Sequence, residues 1–237
     1  MKIFTHTRFG DHVITFGIIK EFSKQYHDTM ILSIEDRGPL HISNITRLFS
    51  SIKNLELITR RFPDNEYDKV ISSQWWYDQA KPWFDNPKLP YTLGEDMIAD
   101  RFWYKRLAGI PFCLKWDNFY FERDFKREKE IYYDVFGLKD NQQFIFLQED
   151  PTRNVIIDRK YISDKYRVIE LSKYLDISIL DVLYTVEKAK ELHTINTGFL
   201  SFVDLMNIQH SNLNYHRYTR PNPVEQAALR LNWNIIE

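Results

Sequence analysis

Glycine and cysteine are scarce in this chain, and charge of neither sign prevails. Seven glycines in 237 residues form neither a Gly-x-Gly-x-x-Gly turn nor a P-loop. The phosphate cradles of nicotinamide dehydrogenases and of P-loop kinases are therefore excluded. The single cysteine, Cys113, rules out an internal disulfide framework. It sits among apolar neighbours without a local histidine to activate it, and Gly-x-Ser-x-Gly is missing, so nucleophilic hydrolysis has no support. No Asp-x-Asp triplet stands ready for a divalent ion, and the seven histidines are scattered; no metal site is expected. No stretch approaches the roughly 18 apolar residues of a membrane span. The opening "MKIFTHTRFGDH" lacks the apolar run of a signal peptide, which makes the cytoplasm the expected compartment. Basic and acidic residues number 32 and 33, leaving no global field to hold nucleic acid. The basic and aromatic "YHRYTRP" near the C-terminus is too slight to change that.

What the chain does have is core. Hydrophobic residues make up 43% and aromatics 16%, enough to fold one large domain or two small ones. Alternation organises the first half. "KIFT" (Lys2 to Thr5) reads as a strand. "VITFGIIKEFSKQY" reads as a helix, with Ile14, Ile18 and Phe22 on one face. "TMILSI" (Thr29 to Ile34), "LELI" (Leu55 to Ile58) and "DKVISS" (Asp68 to Ser73) are further strands, and "PLHISNITRLFSSI" a second helix. Such an order predicts a parallel sheet flanked by helices. The middle holds Pro63, Pro82, Pro87 and Pro90 in an aromatic loop region, then a helix over Glu95 to Leu107. "AGIPFCLKWDNFYF" reads as a linker, and "ERDFKREKEIYYDVFGL" as a charged helix closed by Gly137. From Gln142 the alternation resumes. Strands are expected in "QFIFLQED", "NVIID", "YRVIEL" and "HTIN", and helices in "SILDVLYTVEKAKEL", "TGFLSFVDLMN" and near "PVEQAALRL". The expectation is two α/β halves, residues 1–115 and 116–237, joined near residues 110 to 125.

In open α/β sheets ligands bind beyond the carboxyl ends of strands, where helix N-termini present unpaired N–H groups. Two segments have that form. In "HTRFGDHV", Gly10 permits a sharp turn or a close backbone approach, and Asp11 and His12 stand at the mouth of the sheet; Asp11 serves equally well as a helix cap. In "HTINTGFLSF", a strand runs into Asn196, Thr197 and Gly198, and a helix begins. Hydroxyl and amide N–H groups gathered there suit a diphosphate, and capping by Asn196 or Thr197 is the alternative. "QWWYDQAKPWFD" offers Trp75, Trp76 and Trp83 either as a platform for sugar rings or as core beneath a long loop.

Taken together, the two segments resemble the glycosyltransferases of the GT-B fold, and among them the bacterial heptosyltransferase type, including small versions encoded by viruses and phages. "RFGDHVITFGIIKEF" is similar to that family's small-residue-Gly-Asp turn at Phe9-Gly10-Asp11. "SILDVLYTVEKAKELHTINTGFLSFVDLM" is similar to its helix, strand and Asp-Thr-Gly turn, with Asn196 where the family has Asp and no histidine after Phe199. About 60 residues in two blocks carry the likeness. It implies a fold of two Rossmann-like halves facing a cleft, the first on the acceptor side and the second binding the nucleotide sugar. It implies transfer of a sugar to a carbohydrate acceptor without a metal or other cofactor, with inversion and with Asp11 as the base. Donor contacts are then expected from Gly10, His12, Asn196, Thr197, Gly198 and Phe199. Arg153, after a strand of the second half, is placed to fork onto phosphate oxygens or to pair with Glu149 or Asp150. Acceptor contacts are expected from Trp75 and Trp76. A non-catalytic nucleotide- or glycan-binding module of the same fold is the alternative.

Overall fold

The computed structural model describes residues 1–6, 8–59, 66–72, 103–220 and 228–237. They fall into two units, Met1–Phe121 and Glu122–Glu237.

The first unit carries a sheet of four parallel strands, β1 (Lys2–His6), β2 (Met30–Ile34), β3 (Leu55–Ile58) and β4 (Lys69–Ser72), in the order β3-β2-β1-β4. The chain starts in the middle, steps outward twice, then returns to the other side of β1. This reversal opens the carboxyl edge between β1 and β4, where such sheets hold ligands. Helices α1 (Phe9–Gln25) and α2 (Pro39–Phe49) make the crossovers. Phe16 of α1 and Phe49 of α2 stack face to face, 5.5 Å apart. Helix α1 begins four residues before the apolar periodicity suggests, so Gly10, Asp11 and His12 lie in its first turn and not in the loop before it.

Every residue of α1 from His12 to Ile19 is buried, because a second layer covers the helix. The segment read as a linker supplies that layer, together with a π-helical turn at Trp103–Ala108. It forms a short helix, α3 (Leu114–Asp117), and lies on α1. The Tyr104 hydroxyl donates to the Ile14 carbonyl at 2.8 Å, and Asn118 Nδ2 donates to the Gly17 carbonyl at 3.2 Å. Gly17 makes the approach possible, since a Cβ there would run into the Leu114 carbonyl and the Tyr104 hydroxyl. Of the helix expected over Glu95 to Leu107, residues 95–102 lie outside the described residues, as do Trp75, Trp76 and Trp83.

The second unit has five parallel strands, β5 (Phe144–Gln148), β6 (Arg167–Glu170), β7 (Glu191–Thr194), β8 (Leu213–His216) and β9 (Asn234–Ile236), in the order β6-β5-β7-β8-β9. Here the direction reverses between β5 and β7. Before the sheet comes α4 (Phe125–Glu130), prolonged by a π-helical turn at Ile131–Val135 and ended by Gly137 at φ 59°. Helix α5 (Leu183–Lys188) precedes β7, and α6 (Gly198–Met206) follows it. Buried Glu128 of α4 accepts both Arg123 Nε at 2.9 Å and the Tyr184 N–H at 2.7 Å, while the same guanidinium reaches Glu187, so one arginine joins α4 to α5.

Three further expectations need correction. "NVIID" is no strand: Asp150 and Val155 form an isolated antiparallel bridge around Asn154, which takes a left-handed conformation at φ 54°, and Ile157 turns into a cluster with Leu147 and Ile195. The helix expected over residues 178–192 stops at Lys188, and β7 begins at Glu191, two residues ahead of "HTIN". The chain ends in a short edge strand, β9, that the pattern did not announce; most of the helix expected near "PVEQAALRL" lies outside the described residues. No helix among the described residues is long and apolar enough to cross a membrane.

Replacing Gly17 with Ala is expected to lower stability by about 1–3 kcal/mol through overpacking. Each kcal/mol corresponds to roughly 2–4 °C of Tm in a chain of this size. An unchanged melting temperature would show that α3 does not need to lie so close to α1.

Candidate functional site

The reversal of the second sheet gathers polar side chains at its carboxyl edge. Gln148 ends β5 and Thr194 ends β7, and the parallel register sets them side by side. The Gln148 Oε1 atom accepts the Thr194 hydroxyl at 2.8 Å and the Thr197 hydroxyl at 2.8 Å. Thr197 occupies the N-cap position of α6, yet its side chain makes no cap hydrogen bond. The hydroxyl that ordinarily satisfies a first-turn N–H is instead turned onto Gln148. The opening N–H groups of α6 thus receive no cap from Thr197, and the positive end of the helix dipole lies behind them. Gly198 is the first residue of that helix. Phe199 is 2% exposed and packs on Phe146 with ring centroids 5.9 Å apart, so it can offer a ligand its backbone only. Asn196 lies half-buried in the turn before Thr197.

Across the same edge, a short 3-10 turn at Pro151–Arg153 follows β5. Arg153 pairs with Asp150, and Thr152 donates to the same carboxylate at 2.6 Å. Burial works to raise the Asp150 pKa, but these partners outweigh it and hold the group below its usual range. An arginine that the sequence reading passed over is more firmly built in. Arg159 grips Glu149 with both terminal nitrogens, at 2.7 and 2.9 Å, and Glu149 also accepts the Ile157 N–H at 3.0 Å. Glu149 is 5% exposed, and the arginine keeps its carboxyl low against the opposing push of burial. The loop from Glu149 to Arg159 is fixed by this fork.

Asp11 lies at the carboxyl edge of the first sheet. Its Oδ2 accepts the Arg8 N–H at 2.9 Å, and its charge faces the positive end of α1. Gly10 precedes it in the first helical turn. His12 is wholly buried, with its ring 6.1 Å from that of His41 and 6.2 Å from that of Phe49. Burial first, then the nearby His41 and Arg37, lower its pKa to about 3. Neutral His12 is a packing neighbour of Asp11's helical turn.

Helix α6 is anchored from below. Asp204 is fully buried and takes the N–H groups of Arg230 (2.9 Å) and Leu231 (2.9 Å) and the indole N–H of Trp233 (3.0 Å). A single carboxylate thereby ties the segment leading into β9 to the helix whose first turn faces the Gln148 cluster. A separate hollow of about 600 Å³, lined by residues including Tyr132, Asp140, Gln142 and Lys188, lies at the opposite, amino end of β5. It is away from the edge at which this topology binds ligands.

No family model matches the chain, and no curated protein matches it. Its fold, however, is found among solved structures. It is similar to that of a glycosyl transferase of family 9 from Veillonella parvula DSM 2008, with a TM-score of 0.58 and 11% identity over 99% of this chain and 86% of that one. It is also similar to the E. coli ADP-heptose lps heptosyltransferase II, with a TM-score of 0.52 and 11% identity over 100% of this chain and 90% of that one. The chain is an α/β protein of the fold shared by those two enzymes.

Two outcomes follow from the buried groups. Asp204→Ala strands three N–H donors and is expected to cost about 3–5 kcal/mol, read as a lower urea midpoint and loss of amide protection in residues 228–237. A change under 1 kcal/mol would show that the anchor is dispensable. The histidines set an acid limit. Burial lowers His12 to about 3 and His216 to about 4, from an ordinary 6.5, and lowers His41, His193 and His210 as well. Below pH 6.5 the unfolded chain takes up protons that the folded chain refuses, so stability falls by about 1.4 kcal/mol per pH unit for His12 and for His216, down to their folded pKa values, and the other three act in the same direction. Urea midpoints are expected to decline steeply from pH 6.5 to pH 4; a flat profile there would contradict the buried neutral rings.

Proposed function

We propose that this protein transfers a sugar from a nucleotide-sugar donor to a carbohydrate acceptor. The observation that carries the reading is the turn before α6, where Thr197 gives its hydroxyl to Gln148 and leaves the first helical N–H groups uncapped at the sheet's reversal point. A nucleoside diphosphate is the leaving group of such a transfer, and that edge suits it in charge and shape. The fold likeness to a family 9 glycosyl transferase and to an ADP-heptose lps heptosyltransferase supports the same class.

The chemistry assigns the roles. Attack of the acceptor hydroxyl on the anomeric carbon from the face opposite the diphosphate inverts that centre, and a base must take the hydroxyl proton as the bond forms. Asp11 is proposed as that base, supported by its place at the carboxyl edge of the first sheet. The developing negative charge on the diphosphate would be met by the N–H groups of Gly198 and Phe199 and the dipole of α6, without a metal. Thr197 would contribute by holding Gln148, since its one hydroxyl proton is already committed. Arg153 would join only by leaving Asp150. The compartment proposed is the cytoplasm, and Trp75 and Trp76 remain proposed acceptor contacts.

A second reading has its own support. Asp11 caps its helix start, Arg153 is engaged by Asp150, and Asn196 stands where the resembling family has Asp. These suit a module that binds a nucleotide or glycan and does not react. Free nucleoside diphosphates at 100 times their dissociation constant are expected to stabilise the protein by about 2.7 kcal/mol, with a rise in Tm on that scale. Asp11→Asn is expected to keep that shift and lose at least about 100-fold in turnover, the usual contribution of a general base. Stabilisation without turnover in the unmodified chain would favour the binding module. No stabilisation by any nucleoside diphosphate would remove the transferase reading and leave only a glycan-binding module.

A further inference from the structure

A polar chain of side chains runs along one face of the second sheet, and neither the fold nor the proposed transfer requires it. Glu191 and His193 alternate on β7, and Asn214 and His216 alternate on β8, with His193 opposite Asn214. Residues two apart on a strand share a face, so all four lie on the same one. Glu191 Oε2 is 3.0 Å from His193 Nε2, and His193 Nδ1 is 2.9 Å from His216 Nε2. His193 is 2% exposed and His216 is 0% exposed. The last nitrogen of the chain, His216 Nδ1, is buried and has no hydrogen-bond partner among the described residues.

The order of these contacts fixes the protons. A carboxylate can only accept, so His193 carries its hydrogen on Nε2 and presents a bare Nδ1. That bare nitrogen accepts from His216, which therefore carries its hydrogen on Nε2. His216 Nδ1 is left as a lone pair. Asn214 does not disturb the sequence, because its amide donors serve the Leu192 carbonyl at 3.2 Å and Asn212 Oδ1 at 3.1 Å, and it lies 3.5 Å from His193 Nε2. A buried acceptor with no donor is costly, and here two histidines and a carboxylate maintain it.

Its position is at the edge where ligands bind. His216 is the last residue of β8, next to the strand that leads into Thr197. Helix α6 packs on one face of the sheet through Phe199 and Phe146, and the loop carrying Ile157 packs on the other through Leu147 and Ile195. His216 shares the second face. Tyr161 and Tyr218 surround it, with ring centroids 5.5 and 5.7 Å away. Tyr218 is 40% exposed, and its hydroxyl accepts the Asp158 N–H at 2.8 Å.

We infer that His216 Nδ1 is a recognition atom for the nucleoside part of the ligand, accepting a hydrogen bond from a ribose hydroxyl or a base N–H once Tyr218 swings aside. The nucleoside identity rests on the donor class proposed above. Glu191 and His193 are positioning residues, since they touch the ligand only through His216.

Long-range 1H–15N spectra of the full chain test it. His216 is expected as the Nε2–H tautomer, and adding a nucleoside diphosphate, or the nucleoside alone, should shift its bare Nδ1 resonance. Comparing ribo- with 2′-deoxy- and 3′-deoxynucleotides separates a hydroxyl source from a base source, which would follow base exchange instead. Glu191→Gln lets the chain reverse, because an amide can donate to His193. His216 should then gain the Nδ1–H tautomer, and nucleoside affinity should fall about 10-fold, while inorganic diphosphate binds as before. His216→Phe should show the same selective loss; where that variant does not fold, Glu191→Gln decides. Diphosphate binding with a His216 resonance unmoved by every nucleoside would overturn this inference and spare the proposed function. A resonance moved by nucleosides without any diphosphate binding would do the reverse. An Nδ1–H tautomer in the unmodified protein would overturn the inference outright.

Discussion

One oxygen atom, Oε1 of Gln148, constrains the carboxyl edge of the second unit's sheet. It receives two hydroxyls, one from the neighbouring strand and one from the start of α6. Because β5 and β7 are the strands at which the chain changes direction, the glutamine pins the two sides of that reversal together. It also withholds a cap from α6. The positive end of a helix is left open not by removal of a capping residue but by redirection of its hydroxyl. An anionic ligand of the kind proposed would meet N–H donors already aligned there, with little left to reorganise.

The supports around this edge are polar and buried, and they resemble one another in logic. Asp204 satisfies N–H groups of the closing segment, Glu149 is forked by Arg159, and Glu128 is shared between Arg123 and the start of α5. In each case a carboxylate taken out of water is matched by several donors, the condition under which such burial is tolerated. Each also ties a loop or helix end, not the middle of an element. Segments without regular structure are fixed by charge where they lack a ladder of backbone bonds.

Much of this architecture is legible in the amino-acid order. Alternation of "KIFT", "TMILSI", "LELI" and "DKVISS" with helical periods gives the first sheet, and "TGFLSFVDLMN" gives α6, because burial on one or both faces leaves a strong apolar period. What escapes is instructive. The run "NVIID" has strand composition, yet its apolar residues serve as a cover over Leu147 and Ile195, and Asn154 bends the chain away from any ladder. "AGIPFCLKWDNFYF" has linker composition, yet it is the second layer over α1, a role signalled only by Gly17 in mid-helix. Of the candidate site, the turn at Asn196, Thr197 and Gly198 could be read from its strand-to-helix form. Gln148 and Arg159 could not, since a glutamine closing a strand and an arginine in a loop belong to no motif and gain meaning only from strand order. The alternating pairs Glu191, His193 and Asn214, His216 are visible in the sequence, but nothing there places the two strands side by side.

Each sheet is complete within its own stretch of chain, and the division between Phe121 and Glu122 interrupts no strand and no helix. Backbone pairing therefore sets no requirement that the two halves vary in step. Cutting the chain at that junction would sever no ladder hydrogen bond of either sheet.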